Sequence, residues 1–182
     1  MEVVQFLMAQ KQWSQAKVAL EGWLKKRPAE LDGRLLLARI LALTGRASEA
    51  ATLMEESRAI CDTDARYAAW LNAAFDLATE TEKESEFIKI EQLRLMPKTG
   101  ESWDAIRLGR LLAIADIAGN AQLDAEAEEI VVSALRDATL GPEMRMELEL
   151  RQLDLIQRQK GREKELETQL KSCLLYTSPS PR

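Results

Sequence analysis

The side chains that could carry chemistry in this chain are few, and their types exclude most catalytic and metal sites. The sequence contains no histidine, so it offers neither a histidine-activated nucleophile nor an imidazole ligand for a metal. Its cysteines are Cys61 and Cys173, too few for a thiolate cage around zinc. The eight glycines are scattered and form no phosphate-binding loop. We therefore expect no cofactor, no metal site and no enzyme activity in this chain.

Two acidic patterns are the remaining candidates for ligand chemistry. Asp62 and Asp64 have the alternate spacing of a calcium loop, but the sixth-position glycine and the terminal glutamate of an EF-hand are missing. We expect the segment 62–64 to cap a helix at about 65–79 instead. A second acidic pattern is better explained as a solvated helix N-terminus, where carboxylates favour the helix dipole. Its members are Glu80, Glu82, Glu84 and Glu86.

Composition and charge narrow the class of protein further. The chain is 46% hydrophobic and 30% charged, with a net charge of −5, and it is rich in residues that favour helices. A mildly acidic chain without a lysine and arginine cluster is a poor ligand for nucleic acid. No stretch approaches the ~20 apolar residues of a membrane span, and Met1 is followed by Glu2 rather than by a signal region. The cytoplasm is the default compartment if Met1 is the true start; the sequence does not otherwise fix the location.

A self-similarity with a period of 34 residues organises the N-terminal part of the chain. Each unit reads as two helices joined by a tight turn, and the clearest example runs from Leu31 to Asp62, with its turn at Gly45. The first copy of the repeated positions is Leu7, Lys11, Ala16, Leu20 and Leu24. The second copy is Leu41, Gly45, Ala50, Met54 and Arg58.

This pattern resembles the tetratricopeptide repeat family, in its bacterial form. The second half of the family motif is matched by Trp13, Ala16, Leu20, Trp23, Leu24 and Pro28. The first half is matched by Leu37, Ala38, Leu41, Gly45 and Ala50. The resemblance implies an all-α fold, a right-handed superhelical solenoid of antiparallel helix hairpins, and a function in binding other proteins.

We expect about five hairpins, of which the first and last are incomplete, in one repeat domain over residues 1–172. The approximate repeats are 1–30, 31–64, 65–98, 99–139 and 140–172. The third repeat is degenerate, because residues 79–84 replace the glycine turn and no small residue stands in register with Ala50. In the fourth, a longer turn is expected at residues 119–122. Apolar residues of the last hairpin are expected to be exposed, which predicts self-association or fraying there. They are Leu153, Ile156, Leu166 and Leu170.

The last ten residues differ from the rest of the chain. Residues 173–182 read Cys-Leu-Leu-Tyr-Thr-Ser-Pro-Ser-Pro-Arg, which resembles a translated sequencing adaptor. A natural disordered tail is the alternative, since serine and proline favour disorder. We exclude this segment from the predicted repeat domain.

The resemblance also implies which side chains face a partner. In this family the first helix of each hairpin lines a concave groove that holds an extended peptide or a partner helix. Carried over by register, the groove residues are Gln5, Met8, Asp32, Leu35, Arg39, Arg66, Ala69, Ala73 and Asp76. Arg39 and Arg66 are then candidates to hold carboxylates of a partner.

Two functional classes follow from these observations. The first is a non-catalytic scaffold that binds a protein or peptide, for example in a bacterial envelope or secretion complex. The second is the repeat region of a longer enzyme or transcription regulator, to which similar repeats are attached. Neither class involves nucleic-acid binding by this segment or direct insertion into a membrane.

Overall fold

The computed structural model describes residues 1–177, and every regular element in this range is an α-helix. The chain divides into two compact units with the boundary after Glu84. Unit 1 contains α1 (Glu2–Ala9), α2 (Trp13–Lys26), α3 (Leu31–Leu43), α4 (Ala47–Ala59) and α5 (Asp64–Glu80). Helix α6 (Glu84–Leu95) begins at the boundary, and all of it except Glu84 belongs to unit 2. Unit 2 also contains α7 (Ala105–Asn120), α8 (Asp124–Leu135), α9 (Pro142–Arg158) and α10 (Glu163–Thr177). The predicted all-α, hairpin-based repeat fold is confirmed. None of these helices is long and apolar enough to cross a membrane.

The core of unit 1 is built from helices that alternate between the first and the second helix of a hairpin. A buried cluster joins Val4 of α1, Leu20 of α2 and Ile40 of α3, and small residues let the helices approach. Ala16 and Ala38 are fully buried, as a close helix–helix contact requires. At the other end of the unit, the Trp70 indole of α5 donates a hydrogen bond of 2.8 Å to the carbonyl oxygen of Met54 in α4. This bond satisfies the only polar group of a buried ring.

Unit 2 repeats the same construction with different residues. Ile114 of α7, Val131 of α8 and Leu148 of α9 are fully buried. Glu91 of α6 is also buried, and Arg94 one turn later forms an ion pair of 2.7 Å with it. Helix α6 is tied to α8 by hydrogen bonds between polar side chains, including one of 2.6 Å from Gln92 to Ser133.

All five turns inside the hairpins contain a residue with positive φ, two positions before the second helix. These residues are Lys11, Gly45, Glu82, Gln122 and Gly161. In the first four turns, the next N–H donates to a carbonyl five residues back, the Schellman closure of a helix. The four bonds are Gln12 to Leu7, Arg46 to Leu41, Lys83 to Ala78 and Leu123 to Ala118, at 2.8–2.9 Å.

One expectation about these turns is met and one is corrected. The third turn closes at Glu82, within the predicted segment 79–84, although α5 continues through Glu80. Helix α7 continues through Asn120, so the fourth turn is as tight as the others rather than longer. Both turns close at a non-glycine residue in the left-handed region, so neither turn needs the glycine that marks the second turn in sequence.

The remaining expectations concern the cap before α5, the apolar residues of the last hairpin and the tail. The Thr63 hydroxyl accepts the Arg66 N–H at 3.3 Å, so the predicted cap before α5 is confirmed and Thr63 is its N-cap residue. In the last hairpin, Leu153 and Ile156 are buried rather than exposed, whereas Leu166 is half-buried and Leu170 is exposed. Helix α10 runs through Thr177, so residues 173–177 of the tail set apart by sequence are helical. Of the tail set apart by sequence, residues 178–182 lie outside the described residues.

Candidate protein-binding surface

The groove residues expected from sequence all lie on first helices of unit 1. Five of them are exposed: Gln5 on α1, Asp32 and Arg39 on α3, and Ala69 and Asp76 on α5. Four are half-buried: Met8, Leu35, Arg66 and Ala73. None is fully buried, so each side chain contributes to a surface. Met8 has a second role, since it also packs on the buried cluster of unit 1.

Helices α3 and α5 lie side by side and form the continuous part of this surface. They contact each other, and the Arg39 guanidinium of α3 forms an ion pair of 3.6 Å with Glu80 at the end of α5. We call the outward faces of these two helices the α3/α5 face, comprising Asp32, Leu35, Arg39, Arg66, Ala69, Ala73, Asp76 and Glu80.

The opposite side of α5 fixes the orientation of this face. Tyr67 and Trp70 are almost completely buried, with ring centroids 5.6 Å apart. Because consecutive helical residues are rotated by about 100°, burying these two rings turns Ala69 and Ala73 outward. The exposed strip of α5 therefore consists of the small side chains of Ala69 and Ala73, followed by the carboxylates of Asp76 and Glu80.

The two arginines of the face are already engaged by the protein. Arg66 donates to the Asp62 carboxylate at 2.9 Å and to the carbonyl oxygen of Ala29 at 3.0 Å. Arg39 has Glu80 as its ion-pair partner. The Ala29 bond ties the start of α5 to the loop before α3, so Arg66 holds the two helices in register.

The aspartates of the face are in the opposite situation. Among the described residues, Asp32 and Asp76 have no ion-pair or hydrogen-bond partner, and both are exposed. With Glu80, they give the α3/α5 face three carboxylates against the two guanidinium groups of Arg39 and Arg66. The face therefore carries net negative charge, and its free charges are acidic.

Sequence reasoning missed Glu80, which was assigned to a solvated helix start. The structure places it at the end of α5, one turn beyond Asp76 and on the same face. The four-residue spacing between Asp76 and Glu80 is the signal that could have found it, since residues four apart on a helix are neighbours. The signal was hidden because α5 is one turn longer than α3.

The corresponding face of unit 2 has a different electrostatic character. Arg151 of α9 reaches Asp116 of α7 at 2.8 Å and Asp154 on its own helix at 3.5 Å. Arg158 donates to the same Asp154 at 2.6 Å. Asp116 and Asp154 are therefore both paired with arginines. Among residues 1–177, no cluster of three or more metal-ligating side chains is found in either unit.

Comparison with protein families decides the class of unit 1. The family model described as tetratricopeptide repeat matches residues 7–73, which extend from α1 into α5. Residues 7–73 are therefore similar in sequence to tetratricopeptide repeats. Repeats of this family generally mediate protein–protein interactions and are typically not catalytic. Neither curated proteins nor solved structures give a significant match to the chain.

Proposed function

We propose that unit 1 is a non-catalytic binding module that holds an extended, lysine- or arginine-bearing peptide of a partner protein on the α3/α5 face. The observation that carries this proposal is the uneven pairing of charges on that face. Its arginines are bound by carboxylates of unit 1, whereas Asp32 and Asp76 are exposed and lack partners. A cationic peptide side chain satisfies these aspartates without breaking an existing contact.

The shape of the face supports a peptide rather than a bulky folded surface. Ala69 and Ala73 leave room for a backbone along α5, and half-buried Leu35 offers an apolar contact beside them. The family supports the same reading, since the first helices of its hairpins line the concave groove. A partner carboxylate is a weaker fit, because it would have to displace Glu80 from Arg39 or Asp62 from Arg66.

Fluorescence anisotropy with two short labelled peptides of opposite charge, one rich in lysine and one rich in glutamate, tests this proposal. We expect the lysine-rich peptide to bind the full chain and its affinity to fall as salt is added. The double variant Asp32→Lys/Asp76→Lys should bind it about tenfold more weakly or worse. Losing two exposed charge pairs at ~0.5–1 kcal/mol each amounts to roughly that factor.

The matched control is the double variant Glu21→Lys/Glu49→Lys. It changes the net charge by the same amount, but its sites are on the second helices α2 and α4, away from the face. We expect near wild-type affinity from it. Equal weakening by both variants would show that the peptide is attracted by overall charge, and preference for the glutamate-rich peptide would overturn the proposal.

A further inference from the structure

Two apolar surfaces, one on the first helix α1 and one on the last described helix α10, are exposed. The corresponding positions of other repeats are buried. The first surface is Val3 and Phe6 on α1, which are 68% and 65% exposed. The second is Leu166 and Leu170 on α10, of which Leu170 is 43% exposed. Exposed residues of this size at defined repeat positions call for a partner surface.

The internal repeat shows what covers the α1 positions in the other hairpins. The residues 34 positions after Val3 and Phe6 are Leu37 and Ile40 of α3, and these are 9% and 0% exposed. They lie in the buried cluster that also contains Ala16 and Leu20 of the preceding helix, α2. In α3, these two positions therefore pack on the preceding hairpin.

The same comparison of repeats identifies the receiving surface, the part of a second helix on which these two residues of the next first helix pack. Ala16 and Leu20 stand three and seven residues after the first residue of α2, and both are completely buried. The residues at these positions are also buried in α4 and α8: Ala50, Met54, Ala127 and Val131. In α10 the positions are occupied by Leu166 and Leu170, which are not buried. Helix α10 thus presents an apolar receiving surface that is not buried among the described residues.

We infer that the chain associates head to tail, with α1 of one copy packed on α10 of a second copy as α3 packs on α2 within unit 1. Val3 and Phe6 of the first copy then occupy the places that Leu37 and Ile40 hold, against Leu166 and Leu170 of the second. The contact is heterologous, so each copy retains one free surface of each kind and further copies can add. This inference is independent of the peptide-binding function of unit 1.

One hairpin-to-hairpin contact is small compared with the ~1,200–2,000 Å² of a stable protein interface. The association is therefore weak and depends on concentration, with a dissociation constant of about 10 µM or more. The experiment is sedimentation velocity of the full chain over a concentration series from about 5 µM to about 1 mM, a range that brackets such an equilibrium. We expect the weight-average mass to rise with concentration through and beyond that of two chains.

Two single variants separate head-to-tail contact from other modes of association. Phe6→Glu removes the α1 surface, and Leu170→Glu removes the α10 surface. Each variant alone should sediment as a monomer over the whole range, while circular dichroism confirms that its helices are retained. Mixed together, they keep one intact surface of each kind, so they should form a complex of two chains and nothing larger. Val18→Glu is the matched control, because Val18 is 68% exposed on α2 but lies between the two packing positions of that helix. It should associate like the wild type.

The inference is overturned if the wild-type mass stays that of a monomer throughout the series. It is also overturned if Leu170→Glu abolishes association and Phe6→Glu does not, since that outcome indicates a symmetric contact through α10 alone. Failure of the mixed variants to form a complex of two chains overturns it as well.

Discussion

Unit 1 and unit 2 share their hairpin geometry but differ in the chemistry of the face made by their first helices. Both units use the same left-handed closure inside the hairpin, at Gly45 in unit 1 and at Gln122 in unit 2. On the α3/α5 face of unit 1, Asp32 and Asp76 lack partners. On the α7 and α9 face of unit 2, Asp116 and Asp154 are paired with Arg151 and Arg158.

This difference shows that hairpin geometry and surface chemistry are set by separate groups of residues. The turn and the small buried residues of the core fix how the helices pair. The exposed residues differ between the units, so the face of unit 1 presents unpaired aspartates and the face of unit 2 presents aspartates paired with arginines. The family match lies within unit 1. The turn that both units share shows that unit 2 has the same hairpin geometry.

Exchanging the turn residues is the strongest test of the shared geometry. Gly45→Gln should lower the free energy of unfolding by about 1–2 kcal/mol, because an L-residue at φ +78° is strained. Gln122→Gly should raise it by up to about 1 kcal/mol, since relief of strain at φ +62° is partly offset by the entropy of the unfolded glycine. Urea denaturation followed by circular dichroism measures both. Changes of the same sign in the two variants would mean that the turns are not equivalent.

Removing the arginine that neutralises unit 2 tests the difference in surface chemistry. Arg151→Ala removes the arginine of α9 that pairs with Asp116 of α7. Asp116 then lacks an ion-pair partner, as Asp32 and Asp76 do in unit 1. We expect a second, weaker site for the lysine-rich peptide, seen in titration calorimetry as a rise in stoichiometry, and a stability loss of at most about 1 kcal/mol. Arg136→Ala is the control, because Arg136 is an exposed residue just after α8 and pairs there with Glu129. An unchanged stoichiometry for Arg151→Ala would show that unpaired acids alone do not make a binding face.

The smallest expected effect is a pH dependence in unit 2. Hydrogen bonds from Arg162 lower the pKa of Glu128 below its usual value, and one of them measures 2.8 Å. A carboxyl group with a lowered pKa in the folded state stabilises the fold above its unfolded pKa, and this contribution is lost as the pH falls through the folded pKa. The difference in unfolding free energy between wild type and Glu128→Gln should therefore be largest near neutral pH and should shrink below about pH 4. A constant difference across that range would show that the ion pair does not contribute through charge.

Sequence reasoning succeeded where the signal is local. Thr63 was expected within a capping segment because a cap depends only on the next three residues, and the structure confirms it. It failed at the fourth turn, which was expected to be longer, because the left-handed residue that closes it is Gln122 rather than a glycine. It also failed at Leu153 and Ile156, whose burial depends on which helices surround α9.

The sequence by itself determined the helices, the 34-residue period of unit 1 and the set of side chains on the first helices, because periodicity and caps are properties of neighbouring residues. Only the tertiary structure decided which charges of that set remain available. Arg39 and Arg66 are bound by groups that are distant in sequence, Glu80 and the carbonyl of Ala29, which no local pattern brings together. The physical reason is that an ion pair depends on distance in space, and packing of α5 beside α3 sets that distance.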